Sequence, residues 1–294
     1  MLKRVASFLA QFKPRYLVGR LSGKYYSEDF VRVYPDGSRR DRSGKAHPES
    51  DRDRRNFLNH RKFYRFSAQF VKGLRVADIG CGSGYGCAML KAAGAAEVSG
   101  ADISAPAIDF ARATYPSDAQ FTVQGITDLS LYASGTFDVT LTSEVLEHIK
   151  EYGKEDLAMS ELRRITRPGG VVVVATPNSE MLKHHGFSYQ EMSRLMARHF
   201  AEHVIFENAL VPPGDARASW EVRLAAGQVG VVVSEDIRFD ETVLRPGQVP
   251  EVKKGEAPGI RALGPVSIET ALLHNTHSWV AVGINGAATS SRPG

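Results

Sequence analysis

Three groups of residues in this chain have the types and spacing to do chemistry. The first is Val76-Ala-Asp-Ile-Gly-Cys-Gly-Ser-Gly-Tyr-Gly86, in which Asp78 is followed by glycine at every second position, Gly80, Gly82, Gly84 and Gly86. An apolar run that ends in such glycines predicts a buried strand and then a turn into a helix. Glycine admits positive φ and lets a ligand lie on the backbone, so this turn predicts a ligand met by N–H groups and a helix N-terminus. The second is Asp102, which closes the strand-like run from Glu97, about twenty residues beyond the glycines. A carboxylate there can accept hydrogen bonds from both hydroxyls of a ribose. Ser104, ahead of Ala105-Pro106, is free to cap the next helix. The third is Glu144, Glu147 and His148, which fall at i, i+3 and i+4 and so share one face of a helix. Two carboxylates and an imidazole so arranged can hold a hard divalent ion, most simply Mg²⁺ or Mn²⁺. Without a metal, His148 suits proton removal near neutral pH.

The elements that must position these groups can be drawn from Leu74 onward, where strand and helix patterns alternate. Strands are predicted at Arg75–Ile79, Glu97–Asp102, Gln120–Gln124, Phe137–Thr142, Gly170–Ala175, His203–Leu210 and Ser278–Ile284. The alternation predicts a mostly parallel sheet with helices on both faces. Such sheets bind ligands at the carboxyl ends of their strands, where the glycine turn and Glu144 both fall. Arg167-Pro-Gly-Gly170 predicts a turn feeding a buried strand, and Ser188 with Glu191 predicts a capping box opening a helix over Tyr189–Phe200. A further helix is predicted over Asn56–Lys72, ahead of the first strand.

The glycine spacing does not fit the Gly-x-Gly-x-x-Gly of dinucleotide binders, whose third glycine would fall at Tyr85 or Cys87. It resembles motif I of the class I S-adenosylmethionine (SAM)-dependent methyltransferases. The resemblance covers roughly residues 60–210 and the last strand near Trp279. It implies an α/β, Rossmann-like seven-stranded sheet, mostly parallel, with the last strand antiparallel between its neighbours. It also implies SAM as cofactor, with Asp78 near its amino acid part and Gly80, Cys81, Gly82 and Gly84 near its sugar and methionine. Asp102 and Ile103 would lie at the ribose. Thr127 and Asp128 would lie where the family contacts adenine, although the usual acid-plus-alanine pair is Ile126-Thr127 here.

The Glu-x-x-Glu-His segment resembles the metal site of ubiquinone-type O-methyltransferases and of small-RNA 2′-O-methyltransferases. In those families the metal binds substrate oxygens and lowers the pKa of the attacking hydroxyl. The RNA enzymes add a histidine from downstream, for which His184 and the better-placed His185 are candidates. The implied metal set is Glu144, Glu147, His148 and His185, and the implied catalytic groups are His148, His185 and Glu144. Many metal-free small-molecule methyltransferases carry similar segments, so a metal and a histidine base both stand as readings. The reaction expected is O-methylation of a small molecule, a sugar or a lipid-linked intermediate. RNA 2′-O-methylation and a SAM-binding partner protein without turnover are the alternatives.

The remaining sequence divides unevenly around this core, expected over 56–211. Residues 1–72 carry 18 Lys+Arg against 7 Asp+Glu, a net +11, while the other 222 carry 19 against 26, a net −7. Val5, Phe8, Leu9, Phe12 and Tyr16 recur near helical spacing in this basic stretch. Residues 1–55 are therefore expected to form a lid over the site, or a surface for an anionic membrane or RNA. The long connection 212–276 is expected to act as a substrate cap or a homodimer contact. Residues 277–294 supply the last strand and a frayed tail. No run approaches the ~20 apolar residues of a membrane span. Lys13, Pro14 and Arg15 break any secretory signal core, and two cysteines without Cys-x-x-Cys spacing argue against a zinc site. A cytoplasmic protein is expected.

Overall fold

The computed structural model describes residues 60–179, 185–209 and 276–286, and beyond these the backbone of six short strands. A helix over 60–67 (α1) ends in a 3₁₀ turn at Ala68–Phe70, and β4 follows at Arg75–Ile79. Then come α2 (Tyr85–Ala92), β5 (Glu97–Asp102), α3 (Ala105–Thr114), β6 (Gln120–Val123) and β7 (Phe137–Ser143). The chain continues through α4 (Leu146–Lys150), α5 (Glu155–Ile165), β8 (Thr166–Pro177), α6 (Tyr189–His199), β9 (Glu202–Ala209) and finally β13 (Thr276–Ile284).

These seven strands form the expected sheet. β4 pairs parallel with β5 and β7, β5 with β6, and β7 with β8. β13 lies antiparallel between β8 and β9, as the resemblance implied. Three strands from the long connection extend the sheet beyond β9, antiparallel throughout: β10 (Ser219–Leu224), β11 (Gly230–Asp236) and β12 (Gly259–Leu263). The sheet thus has ten strands, in the order β12-β11-β10-β9-β13-β8-β7-β4-β5-β6. In the basic N-terminal stretch, β1 (Arg32–Val33), β2 (Arg39–Arg40) and β3 (Ala46–His47) pair into a small antiparallel sheet. The lid, the cap or dimer contact and the frayed tail otherwise fall outside the described residues, as do positions 56–59 of the first predicted helix.

The core is laid down by the two-residue period of the strands. Val76, Val139, Leu141, Val173 and Val280 pack on one face with α1, α2 and α3. Ala77, Ile79, Val172, Val174, Trp279 and Ala281 pack on the other with α4, α5 and α6. Both faces are covered, so the inner strands read as continuous apolar runs rather than alternating ones. Arg167-Pro-Gly-Gly170 differs from expectation. It lies inside β8 as an irregularity, because the pairing with β7 jumps from Phe137↔Thr166 to Val139↔Val171. Asn285 holds this stretch by donating through Nδ2 to the carbonyls of Arg163, Thr166 and Arg167. Among the described residues no helix is long and apolar enough to cross a membrane.

Candidate active site

From β4 the chain runs outward to β5 and β6 and then crosses back to β7 on the other side of β4. That reversal opens a crevice at the strand ends between β4 and β7, the place where open α/β sheets bind ligands. The glycine turn forms one wall, and the segment from Ser143 to Lys150 forms the other.

The four glycines turn out to serve different purposes. A Cβ on Gly80 would collide with Val145 of the opposite wall, and one on Gly86 would enter the ring of Tyr64. A Cβ on Gly84 would lie 2.7 Å from that of Ala111. These three keep the turn packed against its neighbours. Gly82 alone of the four has open space where a Cβ would stand, and its φ is +54°. It is the position where a ligand can rest on the backbone. The Gly82 N–H donates to Asp102 Oδ2 at 2.9 Å, and the Ser104 N–H donates to Asp102 Oδ1 at 2.8 Å. Asp102, 5% exposed, is thereby fixed beside the turn. Ser104 does cap α3, its hydroxyl accepting from the Ala107 N–H. The cradle fits an adenosine-bearing sulfonium: bare backbone at Gly82 beside a held diol acceptor.

The other residues expected at the cofactor are less alike. Cys81 is buried and Ile103 half-buried. Thr127 is half-buried and Asp128 exposed, in the turn after β6, which is joined to β5 by the Gln124 N–H donating to the Asp102 carbonyl. Asp78 lies beneath the turn, wholly buried, with its Oδ2 accepting from the Tyr64 hydroxyl at 3.0 Å and lying 3.6 Å from Cys87 Sγ. Its Oδ1 is buried with no hydrogen-bond partner among the described residues. Burial pushes this carboxyl up to about 7, against the two hydrogen bonds, which lower it.

On the opposite wall, β7 passes into α4 through Glu144, the only non-glycine residue with positive φ (56°) among the described residues. Its N–H donates to the Ala175 carbonyl at 3.0 Å. Such a conformation costs on the order of 1–3 kcal/mol and persists where the surroundings impose it. Burial raises the Glu144 carboxyl to about 7. Glu147 is 2% exposed; burial and then the charge of Glu144 push its carboxyl well above the usual range. It accepts from the Thr176 hydroxyl at 3.3 Å, and its Oε1 lies 3.5 Å from His148 Nε2. The His148 and His185 rings are 5.2 Å apart between centroids.

Ligand atoms of Glu147, His148 and His185 all lie within 4.8 Å of one another. Ligands on opposite sides of a divalent cation are separated by about that much, so the donor set fits one. A cation would also relieve the cost of ionising the buried Glu147. Of the four expected metal ligands the structure therefore brings three together. Glu144 stands outside that group, and His184 lies outside the described residues. Sequence reasoning missed the part played by α1 and by Tyr85, because aromatic and basic residues on a helix carry no motif. His60 Nδ1 lies 2.9 Å from the Tyr85 hydroxyl, Tyr64 stacks edge-on against Tyr85, and Arg61 acts electrostatically on Tyr85.

Comparison with known proteins gives matches to part of the chain. Residues 77–174 match the family model described as a methyltransferase domain. A ubiquinone biosynthesis O-methyltransferase of Sinorhizobium medicae is 39% identical over 114 residues, which is 38% of this chain and 44% of that protein. Its counterpart in Brucella melitensis is 38% identical over 120 residues, 40% of this chain and 46% of that protein. The chain thus matches under half the length of these relatives. A SAM-dependent methyltransferase of known structure from Thermotoga maritima aligns with a TM-score of 0.49 at 17% identity, over 79% of this chain and 93% of that one.

Proposed function

We propose that this chain, whose residues 77–174 match a methyltransferase domain, is a class I SAM-dependent methyltransferase that methylates a hydroxyl oxygen of a small-molecule, sugar or lipid-linked acceptor. The observation that carries this reading is the Glu147–His148–His185 group, whose Glu147 and His148 follow β7 beside β4 and are preceded by Val145 against Gly80 of the glycine turn. The names of the relatives, ubiquinone biosynthesis O-methyltransferases, support oxygen as the methylated atom. SAM supplies an electrophilic methyl on a sulfonium. The protein's part is chiefly to hold the two reactants in line. Gly82 and Asp102 fix the adenosine end, and Gly80 and Val145 in contact close the floor between the walls. On the acceptor side His148 or His185 takes the hydroxyl proton, as histidine can near neutral pH. If Mg²⁺ or Mn²⁺ is bound, Glu147, His148 and His185 hold it, and it favours the ionised form of an acceptor hydroxyl.

The test uses SAM with a trideuterated methyl group and a panel of catechols, sugars and short single-stranded RNA, with and without Mg²⁺, followed by mass spectrometry. The reading expects S-adenosylhomocysteine release and a labelled methyl ether on a phenol or sugar. Label only on nitrogen or carbon, or no release with any acceptor, contradicts it. Label on a terminal RNA ribose, with binding that weakens steeply as salt rises, would favour the RNA alternative suggested by the +11 N-terminal region.

A further inference from the structure

His148 and His185 come from different elements, and something must set the distance between them. His148 lies on α4, a helix of five residues, and Lys150 ends the same helix. Lys150 Nζ donates to the Gly186 carbonyl at 2.9 Å and to Glu191 Oε2 at 2.7 Å, and stands 4.6 Å from the centre of the Phe187 ring. Glu191 Oε2 also accepts from the Ser188 N–H at 2.8 Å, completing the capping box of α6. The lysine therefore joins the helix that carries His148 to the backbone next to His185 and to the start of the following helix.

The segment it grips is tightly specified. Gly186 has φ +113°, and a Cβ there would collide with the Pro177 carbonyl at the end of β8. Phe187 donates its N–H to that carbonyl at 2.9 Å, and its own carbonyl accepts from Trp279 Nε1 at 2.9 Å. Those contacts tie Phe187 to the sheet. The Lys150 contact ties the adjoining Gly186 to α4.

We propose that Lys150 is a positioning residue, which holds His185 against His148 and so assembles the reactive group. The proposal rests on the reading of Glu147, His148 and His185 as one functional unit. The Lys150 and Glu191 side chains are 29% and 44% exposed, and ion pairs so placed add little stability. Replacing Lys150 is therefore expected to alter geometry more than folding.

Lys150→Met, which retains an apolar stem over Phe187, is compared with the full-length wild type using Mn²⁺ alone as the probe. Manganese paramagnetic resonance gives the affinity, and a ring-to-ring nuclear Overhauser effect in the metal-free protein reports the contact between His148 and His185. The expected result is about tenfold or greater weakening of Mn²⁺ binding, the usual scale for losing a group that orients a ligand. The ring contact is lost as well, with a melting temperature within a few degrees of wild type. Lys150→Arg, which can still reach both acceptors, restores both readouts. If Lys150→Met does not fold, Glu191→Gln serves instead: it keeps a capping side chain, removes the charge facing Lys150, and is expected to weaken the ring contact. Wild-type affinity and an intact ring contact in Lys150→Met overturn the proposal. A wild type that binds no Mn²⁺ removes the metal reading alone, and the ring contact then decides the role of Lys150 by itself.

Discussion

The two walls of the crevice are built on opposite electrostatic terms. On the cofactor wall, Asp102 has backbone N–H donors on both oxygens, and three glycines are consumed by packing. That carboxylate is held in place before any ligand arrives. On the acceptor wall, two carboxyls three residues apart are raised by burial, and a non-glycine residue holds positive φ. Here burial disfavours the charged form of both carboxyls, and a proton, a cation or an acceptor's hydrogen bond offsets that cost. Preorganisation suits a cofactor that always binds in one way. Stored electrostatic cost suits a group that must exchange protons or accept a cation.

The contrast is tested most severely at the glycines. Gly82→Leu places a side chain in the one open position and is expected to weaken SAM binding by about 100-fold or more. The backbone cost of positive φ is only about 1–2 kcal/mol, so the variant should fold; titration calorimetry and thermal melting read the two effects. Gly86→Val should do the reverse, since its side chain meets the Tyr64 ring. A stability loss of about 3 kcal/mol is expected in a denaturant titration. If both variants lost stability and affinity together, the division of labour among the glycines would be wrong.

Asp102→Ala comes next. Hydrogen bonds to a charged acceptor are worth about 1.5–3 kcal/mol, so SAM affinity should fall by roughly 10- to 150-fold. Part of that loss would come from releasing Gly82. Equal affinity in this variant would mean that the ribose lies elsewhere.

Both walls should show themselves in pH dependence, through Asp78 beneath the glycine turn and through Glu144 and Glu147 opposite it. Glu144 and Asp78 are both raised to about 7 from ordinary values near 4, and burial with the charge of Glu144 raises Glu147 as well. The folded state therefore holds protons that the unfolded state has released. Their stabilising effect is complete below about pH 4 and is lost as pH rises toward 7 and beyond. Glu147→Gln removes one such group, so its stability relative to wild type should improve as pH rises from 5 to 8. Mn²⁺ added at pH 8 should stabilise the wild type and leave this variant unchanged. A flat pH profile for the difference would place Glu147 in a more solvated setting than the structure does.

Most of the cofactor wall was legible in the residues. Periodicity located the strands to within a few positions, and glycine spacing with Asp102 located the turn, because these signals are local. The sorting of the glycines was not legible, since it depends on what Val145, Ala111 and Tyr64 bring from elsewhere in the chain. The same holds for Asp78, whose carboxyl faces Tyr64 because alternate residues of β4 point to the α1–α2 side. On the acceptor wall the helical spacing of Glu144, Glu147 and His148 was readable, yet it suggested one shared face. The positive φ of Glu144 begins the helix after that residue and separates it from the other two. Lys150 was invisible for another reason: its importance comes from Gly186 and Glu191, 36 and 41 residues away. The extension of the sheet by β10–β12 is not among the predicted strands, since the long connection is read as a cap or a dimer contact.

The central claim is that the crevice beside Gly82 is a SAM site whose occupancy does not depend on the acceptor wall. Titration calorimetry of SAM into the wild type, Gly82→Leu and Glu147→Gln tests it most directly. The account predicts one site per chain in the wild type and in Glu147→Gln with affinities within about threefold, a difference under 1 kcal/mol, and none detected in Gly82→Leu. Absence of binding in the wild type, or undiminished binding in Gly82→Leu, would contradict it.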